Sequence, residues 1–371
     1  MRCGRNRASI QRPRLRPLGA LEFAMPTQLP SRHPSPSLLR RRLALGMPLA
    51  IGALWLVPPR AHAATQTQQR TLLGTTVDMR LQHPDARAAE LAADAAWGEM
   101  QRLEAMMSRY VSGNPLAAIQ AAAGIQAVAV PPELFAVLQA AQAVSAASQG
   151  AFDITVGSLR DWDFRPGHYH AASPEAVAAQ LPLVNQGTGL VLDAQRRTAF
   201  LRRQGMGLDL GGIAKLPVLQ AGMRVLQKHG IASAMINGGG DVLVHGGNAG
   251  APWRIGVRDP REPAQLLGTI ALHDGVVAAS GDYERCFESA GVRMHHILNP
   301  HTGYPSTGPH GVVLVARDTA AVNGWGAATM VAGRAFGRDR VAALPGVDVL
   351  VVDADRSVWT SPGMAQRLQR A

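Results

Sequence analysis

Cysteine is nearly absent: the 371 residues hold two, Cys3 and Cys286. Two cysteines are too few for a disulfide framework, and no C-x-x-C spacing offers a thiolate metal site. Cys286, in GDYERCFESAG, reads as a packed structural residue rather than a reactive one. An excess of positive charge is nearly missing too, outside one segment. The formal net charge is +11, yet residues 1–63 hold eleven arginines, no lysine and a single acid, Glu22. The other 308 residues carry 26 basic and 25 acidic side chains, which leaves no basic face for nucleic acid. The signatures GxxxxGK[ST] and GxGxxG do not occur, which excludes a P-loop and a Rossmann fingerprint. After residue 63 there is no repeat, coiled coil, low-complexity tract or clear linker, so residues 64–371 read as one domain.

The basic segment accounts for itself. Arg40-Arg41-Arg42 precede the apolar stretch Leu43 to Val57, and Ala61-His62-Ala63 follows as a small-residue cleavage signal. These are the three parts of a secretory signal peptide, with cleavage expected after Ala63 and a periplasmic mature protein. The h-region is shorter than the ~20 apolar residues of a membrane-crossing helix, so membrane contact is expected only through a partner or an uncleaved leader. Consecutive arginines beside a modest h-region also resemble a twin-arginine signal, a route for folded cargo. Residues 1–24 fit neither signal class, which makes Met25 a candidate start.

What is present is glycine placed where chemistry can use it. Residues 205–244 read GMGLDLGGIAKLPVLQAGMRVLQKHGIASAMINGGGDVLV. An apolar, strand-like run ends at Asp209 and Gly211-Gly212, and Lys215 opens a helix that stops at His229-Gly230. A strand near Ala232 to Ile236 runs into Asn237-Gly238-Gly239-Gly240-Asp241. Two such turns expose backbone N–H groups that suit a phosphate, although by pattern alone such glycines more often mark plain tight turns.

Around this anchor, LLGTTVDMRLQH reads as a first strand after a polar segment, Gln66 to Thr71. Residues 84–109 and roughly 131–148 have helical periodicity, and a small helix (Pro174 to Gln180) and a strand pair (Gly189 to Leu201) follow. Residues 160–172 form an aromatic-rich loop whose His168 and His170 read as exposed rather than ligating. Strands are expected at 253–258, 267–279, Val312 to Ala316 and Val347 to Val352, with a helix from Thr319 to Phe336. Adjacent strands and interleaved helices without regular βαβ spacing give an α+β fold with mixed or antiparallel sheets and packed helices.

Eight stretches occur in order: LLGTTVDM, MSRY with SGN, GAFDITVGSL, GLDLGGIAK, NGGGDV, WRIGVRDP, SGDYER and HHILNPHTG. Together they resemble the ApbE family of FAD:protein FMN transferases, over about Leu72 to Gly333. The resemblance implies a flavin transferase that uses Mg2+ to split FAD and attaches FMN through a phosphoester to a Thr or Ser of a target flavoprotein. It assigns flavin or FAD contacts to Leu73, Tyr110, Ala151, Phe152, Asp153, Asp209, Lys215 and Ile297, and the acceptor-hydroxyl base to His296. An imidazole suits that proton transfer; by pattern alone, His295 and His296 are strand residues, one of them satisfied internally. The leader is similar to that of the NosX-like exported subgroup, which serves a flavoprotein regulator of nitrous oxide respiration.

The family's magnesium is held by Asp-x-x-Asp-Thr and a backbone carbonyl near the DLGG turn, here that of Gly212. The matching positions hold Asn323, Gly326 and Ala327, a poor ligand set for a cation that wants anionic oxygens. Leu216, Pro217 and Gln220 also replace the family's Gly, Tyr and acid. Two readings stay open: a divergent transferase drawing metal to groups such as Asp318 or Asp241, or an FAD-binding accessory or carrier without turnover. A solute-binding or structural domain is disfavoured by the clustered glycine turns.

Overall fold

The computed structural model describes residues 64–262 and 264–370, so the leader and its cleavage signal lie outside the described residues. Apolar alternation decides the layering. Every residue of the strand Gly311–Ala316 is buried, and alternation sends Val312, Leu314 and Ala316 to one core, Val313 and Val315 to another. The strand Asp348–Val352 sorts Val349 and Val351 from Leu350 and Val352 in the same way. A sheet with two apolar faces must be covered on both. One face carries the helices Ala86–Met107, Pro132–Ala147 and Lys215–Lys228, which contribute Trp97, Met100, Leu138 and Leu219. The other carries a three-stranded sheet with Trp253–Arg258 and Leu266–Leu272.

The central sheet has eight strands lying in sequence order: Ala64–Leu72, Thr75–His83, Ser233–Gly238, Asp241–His245, Gly275–Gly281, Gly311–Ala316, Asp348–Val352 and Val358–Thr360. Every ladder between them is antiparallel, and with the packed helices this is an α+β fold. The long helix starts where the Asp85 carboxylate accepts the N–H groups of Arg87 and Ala88. It meets the anchor helix Lys215–Lys228 at Gly222, where a Cβ would stand 2.7 Å from Met100 Sδ.

Four expectations need correction. The polar segment Gln66–Thr71 is part of the edge strand Ala64–Leu72, because an edge needs only its backbone paired and leaves polar side chains at the surface. The run ending at Asp209 and Gly211-Gly212 places Met206, Leu208 and Leu210 alternately, as a strand would, but has no partner strand among the described residues. Instead Gly207 and Leu208 N–H donate to Ser158 Oγ and Gln120 Oε1, both at 2.9 Å. Residues 267–279 split at His273-Asp274 into strands of two different sheets. The helix expected from Thr319 to Phe336 is broken after Val322, where Gly324 adopts φ +80°, and resumes at Trp325–Ala332. The helix Pro115–Ala121, capped by Asn114, has no counterpart among the expected elements.

Candidate active site

The turn Asp209–Ala214 lies at the centre of the site, and Gly157 lets it pass. A Cβ there would meet Leu208 C at 2.3 Å, so only glycine allows Asp209 N–H to reach Ile154 O at 2.7 Å. The Asp209 carboxylate takes Gly211 N–H on one oxygen and Arg109 Nη1 on the other, each at 2.8 Å. Burial alone would raise this carboxyl, but the Arg109 guanidinium and the Gly211 amide hold it below the usual carboxylate range.

Leu73 sits in the two-residue hairpin turn between Leu72 and Thr75, with φ +57° followed by Gly74 at +65°. Positive φ at both positions is the type I′ requirement, and a leucine there costs roughly 1–2 kcal/mol. Two side chains from distant segments hold it. Leu73 N–H donates to Glu104 Oε1 at 2.5 Å, and Arg285 Nη2 donates to the carbonyls of Leu73 and Gly74 at 3.0 and 3.3 Å. Burial raises the Glu104 carboxyl, partly offset by the Leu73 amide.

Arg285 also places the histidine pair, since its carbonyl accepts His296 N–H at 3.1 Å. His295 is satisfied internally: Nε2 bonds Ser306 O at 2.8 Å, and Nδ1 accepts Ile297 N–H at 3.4 Å. His296 differs, because its Nδ1 is buried with no hydrogen-bond partner among the described residues. Burial, reinforced by Arg285, His295 and Lys215, pushes its pKa down to about 3. The imidazole is therefore neutral at physiological pH and keeps an uncommitted ring nitrogen. Lys215 Nζ pairs with Asp241 at 2.9 Å, and the other Asp241 oxygen accepts Ala279 N–H at 3.0 Å. Arg285, by contrast, has no carboxylate within ion-pair distance among the described residues.

Other expected contacts divide. Tyr110 is 64% exposed, with the guanidinium groups of Arg109 and Arg165 each 5.7 Å from its ring centroid. Arg165 belongs to the aromatic loop, which stacks Tyr169 on Phe287, while His168 and His170 are exposed. Ala151 and Phe152 are buried, and Ile297 packs against the main core. Asp153 is engaged in its own turn: its carboxylate accepts Thr155 N–H, Thr155 Oγ1 and Gln186 N–H at 2.7, 2.5 and 2.8 Å. Arg109, Glu104 and Arg285 were missed as site residues, although Arg109 and Arg285 stand inside the MSRY and SGDYER stretches.

The positions assigned to magnesium do not fit it. Asn323 is buried and turns its amide Nδ2 to Ile213 O at 2.9 Å, one residue beyond Gly212. A Cβ on Gly212 would stand 3.1 Å from the Phe152 ring and 3.7 Å from Ala327 Cβ, so this wall is hydrocarbon. A Cβ on Gly326 would meet Ser280 Oγ at 2.5 Å, so a larger residue there would have to displace the Ser280 hydroxyl. The alternative groups are engaged: Asp318 accepts Ala320 N–H as a helix cap, and Asp241 is paired with Lys215. Among the described residues no group of three or more His, Cys, Asp or Glu is arranged to hold a metal ion.

A family model described as "ApbE family" matches residues 73–351. The FAD:protein FMN transferase of Treponema pallidum (strain Nichols) is 30% identical over 331 residues, 84% of this chain and 90% of that protein. One from Klebsiella pneumoniae (strain 342) is 33% identical over 238 residues, 63% and 72% of the two chains. The crystal structure of the ApbE protein from Thermotoga maritima superposes with a TM-score of 0.75 at 29% identity, covering 83% of this chain and all of that one. A match spanning most of the chain, in sequence and in fold, places it in the ApbE family.

Proposed function

We propose that the chain is an FAD:protein FMN transferase whose substrates are FAD and a flavoprotein bearing an acceptor Thr or Ser. The observation that carries this reading is His296, a neutral imidazole with an uncommitted buried Nδ1 beside Arg285 and Lys215. In the reaction the acceptor hydroxyl oxygen attacks the FMN-side phosphorus of the FAD diphosphate. The bond to the AMP phosphate breaks, AMP leaves, and His296 takes the hydroxyl proton. Arg285 and Lys215 face the charge on the diphosphate, Tyr110 covers the ring, and the Asp209 turn fixes the phosphate end. No step is assigned to magnesium, because the residues at its position do not fit it.

The leader, with Arg40-Arg41-Arg42 and Ala61-His62-Ala63, supports export to the periplasm. The acceptor is then an exported flavoprotein, and the NosX-like leader points to the regulator of nitrous oxide respiration. The neutral groups at Asn323, Gly326 and Ala327 favour a second reading, an FAD carrier without turnover. Incubating the purified chain with FAD and an acceptor protein, then assaying AMP and flavin-labelled Thr or Ser, separates the two. Tight FAD binding with neither product leaves the carrier.

A further inference from the structure

The anchor helix has an irregularity at its start. Ala214 O accepts Val218 N–H at 3.2 Å in helical fashion, but the carbonyl one residue earlier, Ile213, falls opposite Pro217. Ile213 lies just before the helix cap Ala214, and proline has no N–H, so this buried carbonyl finds no backbone donor at position 217. The donor comes from 110 residues away: Asn323 Nδ2, at 2.9 Å. Asn323 reaches it because Gly324, at φ +80°, breaks the helix and because Asn323 N–H is itself held by Thr319 O at 3.1 Å. A carboxylate at position 323 could not donate this bond, and a leucine would leave the carbonyl unpaired.

We infer that Pro217 and Asn323 form a complementary pair which replaces a metal ion: the Asn323 amide ties the Asp209–Ala214 turn to the helix break, so the turn holds its shape without Mg2+. The surrounding groups agree. Ala327 and Phe152 line the wall with hydrocarbon, and Ser280 occupies the space beside Gly326. With the amide nitrogen committed to Ile213, no anionic oxygen faces the turn from this side. Asn323 is thus a positioning residue; it supplies a hydrogen bond and no chemistry.

The test uses the melting temperature of the full chain, with Mg2+ alone as the probe at matched ionic strength, and does not depend on FAD turnover. The native chain is expected to melt at the same temperature in EDTA and in saturating Mg2+. Asn323→Leu should lower Tm by about 2–6 °C, with no recovery in Mg2+. In a Pro217→Ala background, where residue 217 regains an N–H for Ile213 O, the same Asn323→Leu change should lower Tm by less than half as much. A saturable Mg2+-dependent rise in the native Tm that Asn323→Leu abolishes would overturn the inference. So would an Asn323→Leu loss undiminished by Pro217→Ala.

Discussion

The turn Asp209–Ala214 is gripped from two sides, and the chemistry of the two grips differs. On one side Arg109 pairs with Asp209 at 2.8 Å, with Arg285, Lys215 and His296 close by. On the other, an amide, a methyl group and a phenyl ring meet the same turn: Asn323, Ala327 and Phe152. A charged wall can hold a diphosphate and move a proton; a neutral wall can only fix shape. On the function proposed above, ionic groups stand where charge would develop, and neutral groups where a backbone needs holding.

This contrast can be broken by mutation. The largest effect belongs to the charged side. His296→Ala should slow AMP release and acceptor labelling by about 10²- to 10⁴-fold while FAD still binds, measured by single-turnover assay against FAD titration. An equal loss in Ala327→Ser would show that the neutral wall also takes part in the chemistry. Next, Asp209→Asn strips Arg109 of its partner and should cost about 1–3 kcal/mol in denaturant unfolding, the pair being only partly buried. An Arg109→Ala, Asp209→Ala double variant should lose less than the sum of the single losses.

Protonation sharpens the same comparison. The folded pKa of His296, about 3, lies below the ordinary histidine value, so below about pH 6.5 the unfolded chain binds a proton that the folded one refuses. Stability should therefore fall as pH drops from about 6.5 towards 3, and level off above. His296→Gln should flatten that slope in urea titrations at stepped pH, although the depressed His295 and His310 leave a remainder. Smaller again is Tyr110→Ala. Its exposed ring contributes little to folding, so stability should hold within about 0.5 kcal/mol while FAD affinity weakens about 3- to 10-fold. Smallest is Leu73→Asn, which should raise stability by up to about 1 kcal/mol, since asparagine tolerates left-handed backbone.

What could be read beforehand was what local pattern encodes. The periodicity of Ala86–Met107, the stop at His229-Gly230 and the apolar run Gly311–Ala316 all name their elements directly. Asp209, Lys215 and His296 were legible because they sit within ordered motifs that resemble a family. Partners far apart in the chain were not. Nothing near residue 73 announces that residues 104 and 285 will hold its peptide, and nothing near Asn323 announces a carbonyl at Ile213. Met206, Leu208 and Leu210 alternate as a strand would, but tertiary bonds to Gln120, Ser158 and Ile154 took the place of a ladder. Only the missing N–H of Pro217 was a visible hint, and it needed the fold to show which carbonyl it orphaned.

The peptide of Leu73 is seized at its amide by a residue 31 positions later and at its carbonyl by one 212 positions later. A chain emerging from the ribosome can make the first of these bonds early, but it must wait for its final third before making the second. Until then the hairpin tip is free to relax out of its costly conformation, and the wall it forms is unfinished. Nascent chains, or chains cut before Arg285, are therefore expected to lack the second of these bonds, and the hairpin tip takes its final form only in the completed protein.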